Sequence, residues 1–255
     1  MYSRWAQEKR KKITLWLGGV FVIIFGVYVH VSLYTPPSCF DGKLNQNELG
    51  IDCGGVCARM CSFQIKPTKT VWARSYQVSG SLWGAFAYIE NPNVRSYAPL
   101  AQYRFTIYDR NNIPIAVQEG ETFITHEAII PVYAHRIDVG TGIPYRTEFE
   151  WVNIPAWYRV GRVYSVVAEE QRINNLNTRP ELTAVLSNQE PYPLEHIEVY
   201  AILYDVNKNA VATSKTYVDR LSPRGKRNVV FSWNEPFDIS VVRWEIMTRI
   251  PTQNN

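Results

Sequence analysis

Histidine is scarce in this sequence, four in 255 residues, and His30 is spent in an apolar run. The remaining three, His126, His135 and His196, are too scattered for a metal triad or an acid–base pair. No GxSxG elbow, Walker loop or dinucleotide glycine pattern is present. His126-Glu127 opens like HExxH but meets Ile130 at the fifth position. Glu119, Glu121 and Glu127 lie close together, and paired carboxylates hydrolyse glycosides. On a strand, however, 119 and 121 share one face and read as a solvated edge that resists aggregation. A non-enzymatic protein is therefore expected, with Glu121 and Glu127 the residues on which an activity would rest.

Most of the chain also lacks a charge excess. There are 27 Lys+Arg and 23 Asp+Glu; five of the former and one of the latter fall in the first twelve residues, leaving 22 of each. The alkaline pI of about 8.8 thus belongs to a short basic segment, and nothing beyond it would attract nucleic acid.

Charge is absent altogether from Ile13 to Leu33, ITLWLGGVFVIIFGVYVHVSL, a helix about 30 Å long that matches a bilayer's hydrocarbon thickness. Trp16 at one end and Tyr28 and Tyr34 at the other suit the interfaces, and Arg4, Lys9, Arg10, Lys11 and Lys12 place the N-terminal side in the cytoplasm. The expectation is a single-pass cell-membrane protein with an uncleaved signal anchor. The competing reading is a signal peptide cut near Ser32, against which stand the length of the run and the lack of a small-x-small site. Gly18, Gly19 and Gly26 make no GxxxG spacing for helix pairing.

Beyond Cys61 there is no cysteine. All four lie in CFDGKLNQNELGIDCGGVCARMC, a stretch with little to bury. Outside the cell, Cys39, Cys53, Cys57 and Cys61 read as two disulfides with three open pairings. A zinc site is the rival, opposed by the C-x13-C-x3-C-x3-C spacing. Asp41, Asn45, Glu48 and Asp52 carry the oxygens that calcium accepts, although their spacing is not that of an EF-hand. The alternative is that Asp41-Gly42 and Asn45 make turns and Asp52 caps the backbone near Gly54-Gly55. The pattern Cys39-x-Asp41-Gly42, Asn45, Glu48, Asp52-Cys53-Gly54-Gly55-x-Cys57, Cys61 resembles a short Cys-rich "DCGG" module of bacterial surface and secreted proteins, with a longer gap before its last cysteine. The resemblance implies a surface module beside β-rich repeats, and no reaction.

After Cys61, apolar and polar residues alternate in short runs rich in Tyr, Val, Ile and Trp, the pattern of half-buried antiparallel strands. Two segments recur. The first, AYIENPNVRSYAPLAQYRFTIYDRNNIPIA from Ala87, aligns with AVLSNQEPYPLEHIEVYAILYDVNKNAVA from Ala184, so that Asn91 meets Asn188 and Tyr108-Asp109 meets Tyr204-Asp205. Further on, Phe149-x-Trp151 is matched with Phe231-x-Trp233, and RVYSVVAE near Val163 with VRWEIMTR near Val242. VWARSYQV at Val71 also resembles VVAEEQRI at Val166, which suggests a last strand of the first unit running on into the second. Each unit predicts a hairpin, at Arg110-Asn111-Asn112 and Asn207-Lys208-Asn209. Phe105-Thr106-Ile107-Tyr108-Asp109 and Ala201-Ile202-Leu203-Tyr204-Asp205 resemble the FxLYD motif of a small extracellular β-sandwich family, which implies a fold and carries no catalytic residues.

The expected class is mainly β: a tail (1–12), a transmembrane helix (13–34), a Cys-rich neck (36–62) and two tandem immunoglobulin-like antiparallel β-sandwiches. These span 66–170, with an insertion at about 119–145, and 171–255. No cofactor is expected unless calcium binds the neck. Most aromatic residues sit at strand positions and read as core; Trp157, Tyr158 and Tyr192 lie in Pro-containing connections and are the candidates for partner contact. The expected role is a surface protein that binds or scaffolds protein or glycan partners outside the cell. The alternative is an accessory subunit of a secretion, pilus or cell-wall machine.

Overall fold

The structure, a computed structural model, describes residues 4–34 and 36–252. The chain divides into two bodies, Met1–Val56 and Cys57–Asn255.

In the first body one helix, α1, runs Arg4–Leu33. The basic segment is made of strong helix formers and holds no glycine or proline, so the helix does not stop where the charges begin. Arg4–Leu33 is one rod, of which Glu8–Leu33 is long and apolar enough to cross a membrane. Past it, residues 38–56 are turns, closed by an antiparallel bridge between Gly50 and Cys53. All four cysteines of the neck are disulfide-bonded.

The second body holds two antiparallel β-sandwiches. In the first, β1 (Lys69–Ser79), β2 (Leu82–Glu90) and β5 (Ile129–Asp138) form one sheet in the order β1-β2-β5. The other is built from β3 (Ser96–Tyr108), β4 (Pro114–Ile124) and β6 (Arg146–Asn153) in the order β4-β3-β6, with the short β7 (Tyr158–Arg159) against the start of β3. Ala85, Ala87 and Ile89 of one sheet meet Tyr103, Phe105, Ile107 and Phe149 of the other in a closed core. The second sandwich uses β8 (Val166–Asn174), β9 (Glu181–Asn188), β10 (Leu194–Tyr204), β11 (Ala210–Leu221), β12 (Lys226–Ser232) and β13 (Arg243–Arg249). Its sheets run β8-β9-β12 and β11-β10-β13, the same order strand for strand, around Leu182, Leu186, Val199, Ala201 and Phe231.

Local chemistry agrees with that correspondence. Asp109 Oδ1 accepts from the amides of Asn111 (2.8 Å) and Ile113 (2.9 Å), and Asp205 Oδ1 from those of Asn207 (2.9 Å) and Asn209 (2.8 Å). Both hairpins then pass through a left-handed residue, Asn112 and Lys208, as a three-residue loop with a bulge requires. Asn91 and Asn188, each buried, tie the loop after β2 or β9 to a second loop: Asn91 Nδ2 donates to Thr125 O (3.0 Å), and Asn188 Nδ2 to Ser222 O (2.9 Å).

Other expected correspondences fail. Phe149 lies on β6 but Phe231 on β12, which occupies the position of β5. The true counterpart of β6 is β13, through Arg146-x-Glu148 and Arg243-x-Glu245. Tyr108 OH donates to Glu148 (2.9 Å) beneath the Arg146 guanidinium, and Tyr204 OH to Glu245 (3.0 Å) beneath that of Arg243. The expected insertion at 119–145 is the end of β4 followed by β5, whose Ile130, Val132 and Ala134 are core residues. A boundary at 170/171 would cut β8, which pairs with β9 and opens the second sandwich as β1 opens the first. It does not close the first: β6 and β7 do.

The sandwiches stack face to face. Phe86, Trp72, Tyr76, Tyr88 and Tyr133 on the outer side of β1-β2-β5 pack against Tyr200, Ile202, Tyr204 and Met247 on the outer side of β11-β10-β13. Both sheets are therefore covered twice, which is why β10 is buried along almost its whole length and reads as a near-continuous apolar run. The outermost faces of the pair carry Gln102, Arg104 and Thr106 at one end and Glu181 and Thr183 at the other.

Candidate functional site

The neck carboxylates are engaged with the backbone. Asp52 Oδ1 accepts from the Asp41 amide (3.0 Å) and Oδ2 from that of Gly42 (3.0 Å). Asp41 accepts from the amides of Ser38 and Lys43 and, at 2.8 Å, from Asn45 Nδ2. That last bond, with the two amides, holds the Asp41 carboxyl below its usual range. Glu48 accepts from the amides of Asn45 and Asp52. Asp41, Asn45, Glu48 and Asp52 lie in one bonded cluster: the three carboxylates accept from turn amides, Asp52 from those of Asp41 and Gly42 and not from the expected Gly54-Gly55, and Asn45 engages through its Nδ2.

The three aromatic candidates separate. Trp157 is 8% exposed and belongs to the first core, a correction to the expectation of exposure. Its carbonyl accepts from Met60 N (2.8 Å), so the connection is held inward by main-chain bonds to residues 58–60. Tyr158 is half-buried in β7 with its ring 5.8 Å from Tyr97. Tyr192 is half-buried, edge-on to Tyr164 at 6.0 Å, under the Arg162 guanidinium and bonded through its hydroxyl to Glu190 (3.0 Å). Each is part of a local cluster, and the three do not form one surface.

Nor do the carboxylates Glu119, Glu121 and Glu127 converge. Glu119 pairs with Arg104 at 2.6 Å and Glu121 with Gln102 at 2.9 Å, both across β3–β4 on the solvated face that the alternation predicts. Glu127 lies in the next turn beside His126, 4.0 Å away.

The densest chemistry is at the junction of the sandwiches, where the sequence offered no motif. Arg249, at the end of β13, is 1% exposed. Its guanidinium donates across the junction to Pro131 O, Phe123 O and Thr122 Oγ1 (2.9 Å) and within its own sandwich to Tyr200 OH (3.2 Å), with the Phe123 ring 4.3 Å away. Glu198, 4% exposed and directly opposite on β10, lies 3.7 Å from it. The other Glu198 oxygen takes Lys215 Nζ at 2.6 Å and Tyr217 OH at 2.5 Å, and Tyr200 OH donates to the first. Burial alone would raise the Glu198 carboxyl; Arg249, Lys215 and the two tyrosines outweigh it and hold it below the usual range. Burial lowers the Lys215 ammonium against the pull of Glu198 and drives the Tyr200 hydroxyl well up. Both Glu198 oxygens are thus engaged by these partners.

Beside this network opens a cleft of about 700 Å³, lined by Tyr133 and His135 of the first sandwich and Glu198, Lys215 and Tyr217 of the second. A second groove, of about 1110 Å³, is lined by β1 and the start of β11.

No family model and no curated protein matches the chain. Among solved structures it is similar to red sea bream transglutaminase (10% identity, TM-score 0.22, covering 73% of this chain and 31% of that one). It is also similar to Parabacteroides merdae β-glucuronidase (13%, TM-score 0.24, covering 71% and 27%). A third is the tandem CBM22 domain of Paenibacillus barcinonensis Xyn10C (10%, TM-score 0.15, covering 73% and 84%). The chain thus spans about a third or less of the first two, and likenesses this slight carry no argument about function.

Proposed function

We propose that this protein is a membrane-anchored, non-enzymatic scaffold. In this reading α1 spans the cell membrane with its basic end in the cytoplasm, and the disulfide-bonded neck and both sandwiches stand outside, where they hold a protein or glycan partner. The sandwiches are tandem copies of one immunoglobulin-like unit, a reading supported by the twice-used Asp turn and the twice-used Arg-x-Glu clamp. The observation that carries the proposal is the junction: a guanidinium anchored to two carbonyls of the neighbouring sandwich, inside an aromatic interface, fuses the two units into one body. Such a body presents its surfaces in fixed relation, which is what a scaffold requires and what two units on a flexible linker would lack.

Two experiments on the full chain in living cells test this. Fused at the C-terminus, alkaline phosphatase should be active and β-galactosidase inactive; the opposite pattern ends the proposed orientation. Photo-crosslinking side chains placed singly at the exposed Val78, Val167, Val206 and Val230 should give specific adducts at a restricted subset; adducts at none would end the partner-binding role.

A further inference from the structure

Each sandwich presents edge strands, and an edge strand is a template for pairing unless something guards it. Most edges here are guarded. β4 carries Glu119 and Glu121, β6 Arg146, Glu148 and Glu150, β8 Glu169, Glu170 and Arg172, and β5 Pro131 and Arg136. Three edge stretches have five successive residues with neither charge nor proline: Ser75–Ser79 of β1, Ala210–Ser214 of β11 and Asn228–Ser232 of β12.

The first two lie along one groove. The wall of the 1110 Å³ groove includes every residue from Ala73 to Gly80, from Asn209 to Ser214, from Ser232 to Ile239 and from Pro144 to Thr147, whose Thr147 hydroxyl donates to Ser75 Oγ (3.0 Å). Because side chains alternate along a strand, consecutive lining residues bring both faces of β1 to the groove. β1 pairs only with β2 and β11 only with β10 among the described residues. The two are bridged at one end, where Arg74 Nη1 donates to Ala210 O (3.0 Å) and Arg74 Nη2 to Asn209 Oδ1 (3.0 Å), which gives the groove a floor. Trp83, Trp233 and Phe237 border it and offer apolar positions for alternate side chains.

We infer that this groove binds an extended peptide segment of a partner protein, which adds as a strand to the free edge of β1. Ser75 to Ser79 present main-chain donors and acceptors on an uncharged edge, broken by a register shift between Gln77 and Ser79, and such groups are satisfied by another extended polypeptide. From Ser75 to Ser79 the uncharged edge offers about 17 Å at 3.3 Å per residue, room for a short strand. The inference rests on the partner-binding role proposed above and names its site and the chemistry of its ligand.

The test uses the full chain in lipid nanodiscs and, as probe, a peptide of alternating threonine and valine with a lysine at each end. Two further versions are N-methylated, one at every threonine and one at every valine. Hydrogen–deuterium exchange of Ala73–Gly80 should slow about tenfold at saturating unmodified peptide. Strand pairing presents every second amide of the peptide to β1, so one methylated version should lose the effect and the other keep it. No slowing, or equal loss with both versions, overturns the inference. Slowing without peptide that grows with protein concentration also overturns it, because the occupant is then a second copy of the chain. Failure here is separable from failure of the scaffold reading: adducts from Val206 or Val230 in cells with none from Val78 leave a partner-binding protein whose partner does not use this edge.

Discussion

Replacing Arg249 by methionine removes the charge and the donors but keeps the length of the side chain. The substitution strands Pro131 O and Phe123 O, two acceptors inside the junction, at about 1–3 kcal/mol each. It also leaves Glu198 buried with one cation, Lys215, in place of two, and breaking a buried ion pair from one side costs about 3–5 kcal/mol. These terms overlap, so the expected loss is about 4 kcal/mol and not their sum. Against a typical stability of about 5–15 kcal/mol the variant still folds. In urea, at about 2 kcal/mol per molar, the midpoint of the full-length protein in detergent micelles should fall by about 2 M, followed by tryptophan fluorescence. The wild type should unfold its two sandwiches in one transition and R249M in two, since the junction that couples them is lost. R249K keeps the charge without the planar fork and should recover less than half of the loss. In an E198Q background, where the stranded anion is gone, R249M should cost about 1–3 kcal/mol less. A shift under about 0.5 M, or strict additivity of the two changes, refutes the reasoning.

Further outcomes follow from the same structure. Trp157→Ala should cost about 3–5 kcal/mol as a core truncation, whereas Tyr192→Ala should cost about 1 kcal/mol; equal urea shifts would return Trp157 to the surface. Because the Glu198 carboxyl is depressed when folded, its contribution is complete above about pH 4.3 and is lost as pH falls through its folded value. Burial raises the Tyr76, Tyr133, Tyr200 and Tyr204 hydroxyls, so their contribution is complete below about pH 10 and is lost above it. The lowered Lys215 works in the opposite sense, adding a gain as pH rises towards its unfolded value. Melting temperature against pH should therefore be a plateau with both shoulders; an acid shoulder that persists in E198Q would point to other carboxylates. Asp52→Ala removes the acceptor of the Asp41 and Gly42 amides, worth about 2 kcal/mol locally. It should make the neck disulfides more quickly reducible by dithiothreitol. Calcium should leave the wild-type melt unchanged, and a rise of several degrees would restore the calcium reading of the neck.

Local features were the legible ones. The uncharged run Ile13–Leu33 specifies a helix by length and composition, and Tyr108-Asp109 and Tyr204-Asp205 specify turns because an aspartate can bond the amides two and four residues on within its own loop. Glu119 and Glu121 fall on one solvated face because strand alternation settles it. Alignment of the later strands failed where it followed bulky residues: Phe149-x-Trp151 and Phe231-x-Trp233 look alike because any core strand wants an aromatic pair. The informative pair, Arg146-x-Glu148 and Arg243-x-Glu245, is charged and looks like ordinary surface. β10 carried a signal of double burial in Ile197–Tyr204, where apolar residues fill both faces apart from Glu198. Nothing local marks Arg249 as buried, since the carbonyls that receive it lie 118 and 126 residues away. A lone arginine on a strand is read as exposed until a second sheet is laid over it.

The most direct measurement is the intact mass of the full-length protein extracted from cell membranes with an alkylating agent present throughout, before and after reduction. The account predicts a chain that retains Ile13–Leu33, takes up no alkyl group before reduction and takes up four after it, as a signal anchor with an oxidised, extracytoplasmic neck requires. A mass that begins near Ser32 would replace the anchor by a cleaved signal, and thiols alkylated without reduction would place the neck and both sandwiches on the reducing side of the membrane.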